Sequence, residues 1–290
     1  MAFSVFHNPN QSCLGNLPLS NPRVRAFHRT LPDYAPTPLV SLPDLAKTLG
    51  VQAVFLKNET SRLGLPAFKI LGASWATARA VTKCLDIPEG AGFDLNALQD
   101  GAQLAGLVLY AATEGNHGRA VARMAKYLGI AARIFIPKVS DEDVKSKIES
   151  EGAKVVIWDG SYDDAVVATK EAAKNHEGGK GLLISDTALV EGEEIAQWIV
   201  EGYQTMFEEI EEQADELRDL ITHVITPVGV GSLCQAVVTH FKRPERERSV
   251  EVVTVEPVEA ACLKASLEAN KATSVDVGYT ICSGMCCGTV

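Results

Sequence analysis

Leu107-Val108-Leu109-Tyr110-Ala111, then Thr113-Glu114-Gly115-Asn116-His117-Gly118, and beyond a helical stretch Arg133-Ile134-Phe135-Ile136: this segment decides the fold. The first run is continuously apolar and of strand length. From Asn116 to Leu128 the residues Ala120, Val121, Met124, Ala125 and Leu128 fall on one helical face, and Gly129 stops the helix. The alternation continues through a charged amphipathic helix (Asp141 to Ser150), the strand Val155-Val156-Ile157-Trp158, the helix Tyr162 to Lys174 and the strand Leu182-Leu183-Ile184. Apolar strands without polar alternation, separated by helices of about ten residues or more, predict a parallel sheet covered on both faces. Its crossovers should be right-handed.

Toward the amino end, Asn21 to Leu31 can hold a short helix stopped by Pro32. A second short helix covers Leu42 to Gly50, with proline at its start and glycine past its end. Val54-Phe55-Leu56-Lys57 is a compact strand. Residues 86–103, rich in Gly, Asp and Pro, read as a surface excursion. Toward the carboxyl end, Glu191 to Leu220 reads as one long helix, broken near Gly202, whose acids between Glu208 and Glu216 form a solvated face. The strand Val224-Ile225-Thr226 runs into Pro227-Val228-Gly229-Val230-Gly231-Ser232-Leu233 and a helix. Val250 to Val255 is a further strand, followed by a helix from Val258 to Ala269.

With 27 Lys+Arg against 37 Asp+Glu the net charge is −10, a poor basis for binding nucleic acid or an anionic membrane. No apolar run approaches the length of a membrane span. The seven cysteines include no CxxC pair and no ligand spacing with histidine, so they read as reduced thiols of a cytosolic protein, and metal binding is not indicated. Residues 1–32 carry three arginines and no acid, as a mitochondrial presequence would, but Pro9, Pro18 and Pro22 interrupt any long amphipathic helix there.

Three loops follow strand ends, where open α/β sheets bind ligands. In Thr113 to Gly118, backbone N–H groups and small side chains could grip an anion, or Thr113 or Asn116 could simply cap the helix. A satisfied helix-start imidazole is the plain reading of His117. Gly229-Val230-Gly231-Ser232 suits a phosphate cradle, but Cys234 replaces the third glycine of a dinucleotide fingerprint and the Lys-Ser/Thr pair of a Walker loop is missing. In Ser185-Asp186-Thr187 the acid could be a general base or a helix cap. A fourth stretch, Arg62 to Ser74, places Lys69 in a first helical turn between Phe68 and Ile70. The amino end of a helix disfavours a cation, and apolar neighbours desolvate it, so this lysine is either a nucleophile able to form an imine or a cation reaching past its apolar stem to water. A reactive lysine, a phosphate cradle and an Asn-bearing loop together suggest pyridoxal 5′-phosphate.

The ordered motifs Pro36-Thr37-Pro38-Leu39, Lys57-Asn58-Glu59-Thr60, Gly64-Leu65-Pro66-Ala67-Phe68-Lys69-Ile70-Leu71-Gly72-Ala73, Thr113-Glu114-Gly115-Asn116-His117-Gly118-Arg119 and Gly229-Val230-Gly231-Ser232 resemble the fold-type II pyridoxal-phosphate enzymes, of the tryptophan synthase beta-like superfamily. Within them the chain is most similar to the diaminopropionate ammonia-lyases, over roughly residues 23 to 290. Ser185-Asp186-Thr187 and Gly284-Met285-Cys286-Cys287-Gly288 point to that branch too. Threonine dehydratases and cysteine synthases would show a Ser-Phe-Lys motif and a Ser-Gly-Asn loop instead.

The resemblance implies an α/β chain of two domains, each with a mostly parallel sheet flanked by helices. Residues 1–68 and 190–290 would form the larger, pyridoxal-phosphate-binding domain and 69–189 the smaller. It implies a lyase that turns 2,3-diaminopropionate into pyruvate and ammonia; the alternatives are a serine/threonine-type deaminase of the same fold, or a non-catalytic remnant. Lys69 would carry the cofactor covalently beside Phe68, Asn116 would hydrogen-bond its ring hydroxyl oxygen, and Gly229, Val230, Gly231 and Ser232 would hold its phosphate. Glu114 and Asp186 would serve as bases for opposite enantiomers. Glu114 stands where the family has Asp, and one extra methylene would cost ~100-fold if this group is the base. The family pattern continues past the point matching Val290, so the larger domain is expected to be incomplete. A cytoplasmic homodimer is the family expectation.

Overall fold

The computed structural model describes residues 5–9, 20–88, 92–113, 115–138, 140–160, 162–186, 194–244, 246 and 248–290. Two compact units emerge: one spans 21–218, the other joins 219–290 to the first twenty residues. The first unit begins with α1 (Pro22–His28), β1 (Leu39–Ser41), α2 (Pro43–Leu49) and β2 (Phe55–Lys57). It continues with α3 (Lys69–Cys84), α4 (Leu95–Leu104), β3 (Leu107–Ala112), α5 (Asn116–Leu128) and β4 (Ala131–Pro137). Then come α6 (Glu142–Glu149), β5 (Lys154–Trp158), α7 (Tyr162–Lys174), β6 (Lys180–Leu183), α8 (Glu194–Gly202) and α9 (Gln204–Ala214). The second unit holds β7 (His223–Pro227), α10 (Ser232–Phe241), β8 (Glu251–Val255) and α11 (Cys262–Ala269). Compactness divides the chain at 218/219; the family-based boundaries at 68/69 and 189/190 remain a proposal.

The parallel sheet expected from the opening segment is present as β5-β4-β3-β6. Val108 to Ala112 run in register with Ala131 to Phe135, and Leu107 to Tyr110 with Lys180 to Leu183. Successive side chains on β3 point to opposite faces. Tyr110 and Ala112 meet Ala165, Val166 and Ala173 of α7 on one face. On the other, Gly118 of α5 comes so close to Ile134 that an added Cβ would lie 2.6 Å from its Cγ2. Both faces of the inner strands β3 and β4 are therefore covered, which explains their apolar runs, whereas the edge strand β5 leaves Ile157 and Trp158 exposed. The chain moves outward from β3 to β4 to β5 and then returns, so that β6 pairs with the free side of β3. The strand order reverses there, and the crevice beyond the carboxyl ends of β3 and β6 is where such sheets take ligands.

Helix α3 lies against this layer with Ile70, Leu71, Trp75 and Val81 fully buried, each contributing about 1.5–3 kcal/mol. Its contact with α8 is glycine-mediated. A Cβ on Gly72 would sit 2.7 Å from Ile199 Cγ2, and one on Gly202 2.5 Å from the Leu71 carbonyl oxygen. Gly202 also marks the expected break: 194–214 is two helices, with a 3-10 turn from Asp215 to Leu220 behind them.

Two expectations are corrected. The excursion 86–103 contains α4, capped by Asp94 and buried through Leu98 and Ala102. The acids after Glu208 are not all a solvated face, because Glu209 is fully buried. Its carboxylate receives Arg62 at 2.7 Å on both oxygens, Lys57 at 2.8 Å and the Tyr34 hydroxyl at 3.0 Å. Arg62 in turn reaches Glu59 and the Thr37 hydroxyl. A buried charge persists only when so compensated. The cluster fixes the loop that leads to Lys69.

Candidate functional site

Lys69 is the first residue of α3, at an amino terminus that no side chain caps. Its ammonium therefore meets the unfavourable end of the helix dipole, and a carboxylate compensates. Nζ donates to Asp186 Oδ2 at 2.7 Å, with the two side chains 19% and 6% exposed. Nζ also lies 5.7 Å from the centre of the Phe68 ring, which packs edge-on against Tyr203.

Asp186 follows β6, and the loop 113–118 follows β3, so the two adjoin the point of strand reversal. Thr113 Oγ1 accepts the N–H of Gly115 at 2.9 Å and of Gly118 at 3.0 Å. The capping role falls to Thr113, and Asn116 heads α5 with its side chain exposed. Glu114 lies outside the described residues.

His117 is where reading from sequence fell short. Its Nε2 lies 2.8 Å from the carbonyl oxygen of Ile184, which can only accept, so Nε2 carries the hydrogen. Nδ1, buried and without a hydrogen-bond partner, points at Asp186 Oδ2 from 3.7 Å. The local sequence signal marked a helix start; the pairing with an acid beyond β6 has no local signature. Burial alone would raise the Asp186 carboxyl, but the His117 ring and the Lys69 ammonium outweigh it and hold the group down at about 2. A partly buried amine and an ionised carboxylate in direct contact can exchange a proton with each other and with a bound molecule.

In the second unit, Gly229 to Gly231 join β7 to α10. Gly231 is left-handed at φ 86°, and no side chain caps the first turn of α10, whose leading N–H groups therefore remain for an anion. A Cβ on Gly229 would meet the Gly284 carbonyl oxygen at 3.1 Å and Cys287 Sγ at 3.3 Å, closer than most Cβ atoms come to a neighbour. Ser232 is buried as the first residue of α10. No described helix is long and apolar enough to cross a membrane.

A parallel α/β sheet with a partly buried lysine beside its switch point, and a separate glycine loop suited to an anion, are features of a class of covalent aldehyde cofactor enzymes. The chain belongs to the family of pyridoxal-phosphate dependent enzymes, whose model matches residues 30–290. It is 38% identical to diaminopropionate ammonia-lyase of Salmonella typhimurium over 272 residues, 91% of this chain and 66% of that one. It is 36% identical to the enzyme of the same name from Escherichia coli K12, over 91% of this chain and 65% of that one. A solved structure of Escherichia coli diaminopropionate ammonia lyase, in complex with an aminoacrylate-PLP azomethine reaction intermediate, superposes with a TM-score of 0.80. That match is 32% identical and covers 92% of this chain and 65% of that one. The chain thus spans slightly less than two thirds of the length of these relatives, and its fold is that of the fold-type II enzymes. Within each unit, taken by itself, the residues suit a part of the cofactor: in 21–218 a partly buried amine for the aldehyde, and in 219–290 an uncapped glycine turn whose N–H groups suit a phosphate.

Proposed function

We propose that the whole protein is a lyase that removes ammonia from 2,3-diaminopropionate and yields pyruvate and ammonia. The observation that carries this is the Lys69–Asp186 contact at the strand reversal, in a chain 36–38% identical to diaminopropionate ammonia-lyases. Lys69 would bind the cofactor through its amine, Phe68 would wall it and Asn116 would donate to its ring hydroxyl oxygen. Gly229, Val230, Gly231 and Ser232 would hold its phosphate. When bound, the cofactor supplies a sink for the electrons left by the departing α-proton. Asp186 would take that proton from one enantiomer, being ionised and within reach of the amine that the substrate replaces. Glu114 would serve the other enantiomer less well, its carboxylate displaced by the extra methylene. The protein would act in the cytoplasm, as a homodimer.

Release of the 2-oxo acid, pyruvate from D- and L-diaminopropionate and from serine and 2-oxobutyrate from threonine, tests the reading. It expects diaminopropionate to be the better substrate, with one isomer lost and the other kept in Asp186→Asn. Faster release from serine or threonine would replace it with a deaminase of the same fold. A chain that captures cofactor but releases no 2-oxo acid from any of the four would mark a non-catalytic remnant.

A further inference from the structure

The unpartnered nitrogen of His117 stands against the same carboxylate oxygen that receives Lys69. With Nε2–H committed to the Ile184 carbonyl, a neutral ring turns a bare lone pair toward Asp186 Oδ2, and two acceptors face each other at 3.7 Å with no proton between them. That arrangement is unfavourable in a buried site, and one proton on Nδ1 relieves it. The Lys69 ammonium must lose a proton before it can attack an aldehyde. When it does, the buried Asp186 carboxylate loses its compensating cation.

We infer that His117 is a positioning residue that receives the Lys69 proton through Asp186, so that the amine becomes nucleophilic while the carboxylate keeps a cationic neighbour. The Nζ–H bond breaks as Oδ2–H forms, then Oδ2–H breaks as Nδ1–H forms. Nζ keeps its electron pair and the net charge of the three groups does not change. Ion pairs reach Asp186 from Lys69 of α3 and His117 of α5, and among the described residues none joins His117 to the packed elements β3, β4, α4 or α6. The inference rests on the reading of Lys69 as the cofactor-binding amine.

The test measures the modification rate of Lys69 across neutral pH in the cofactor-free chain. An acylating reagent and pyridoxal phosphate with borohydride are used in parallel, and peptide masses are read against exposed Lys138 as internal standard. In His117→Gln, acylation of Lys69 relative to Lys138 should fall about tenfold or more at neutral pH, with a changed pH profile and recovery on adding imidazole. An unchanged rate and profile would overturn the relay. Should the variant not fold, the wild-type profile decides: a rate that levels off across this range supports the relay, and a rate rising tenfold per pH unit throughout overturns it. Histidine-dependent acylation without pyridoxal-phosphate capture would leave the relay standing and sink the cofactor reading instead.

Discussion

Lowering the pH from 7 to 5 should destabilise the 21–218 unit by about 2 kcal/mol through His28 alone. The ring is fully buried, with Nδ1 2.7 Å from Thr205 Oγ1 and Nε2 3.0 Å from the Leu71 carbonyl oxygen, two residues past Lys69. Nε2 therefore carries the hydrogen, and Nδ1 accepts from the hydroxyl. Burial, only partly offset by the bond to Leu71, pushes the imidazole down to about 3 from its ordinary 6.5. The folded state thus refuses a proton that the unfolded chain takes up. The stabilisation is full above 6.5 and is lost as pH falls from there toward 3. At pH 5 the unfolded imidazole is almost wholly protonated, which favours unfolding by about 2 kcal/mol relative to pH 7. The paired carboxylates do not compete in this window: Asp186, Glu209 and Glu151 are all held below their ordinary values, so their losses come at lower pH. Urea unfolding followed by tryptophan fluorescence reports on this unit, because Trp75, Trp158 and Trp198 all lie within it. Between pH 7 and 5 the wild type should lose about 2 kcal/mol more than His28→Gln. Equal losses in both would refute the burial argument.

Gly72→Ala should destabilise by about 1–3 kcal/mol, because its Cβ would fall 2.8 Å from the Ile199 backbone carbonyl oxygen, an atom that cannot swing aside; the urea midpoint checks it. Arg62→Met strips Glu209 of its bidentate partner and should cost about 3–5 kcal/mol, with much of the loss restored when Glu209→Leu is added. Gly231→Ala forces a side chain into the left-handed region at φ 86°; it should cost about 1–2 kcal/mol and weaken cofactor binding in titrations of the folded variant.

The central sheet was legible because its inner strands β3 and β4 are largely buried and α5 between them has a regular apolar stripe. Lys69 and Asp186 could each be placed at the end of an element for the same reason. Their contact could not, since it joins residues 117 positions apart. The same limit hid Glu209: a charge run does not say which of its acids will meet Arg62, 147 positions away. Helix α4 escaped because its buried stripe is only Leu98 and Ala102, set between glycines and acids. At His117 the local pattern gave the helix start and was silent on both ring nitrogens, which face Ile184 and Asp186 beyond β6.

The account turns on which amine takes the aldehyde. Incubating the chain with pyridoxal phosphate, reducing with borohydride and mapping the peptides should place the pyridoxyl group on Lys69, and Lys69→Ala should carry none there or elsewhere at equal yield. A pyridoxyl group found mainly on another lysine, or a wild-type chain left unmodified with excess cofactor, would contradict it.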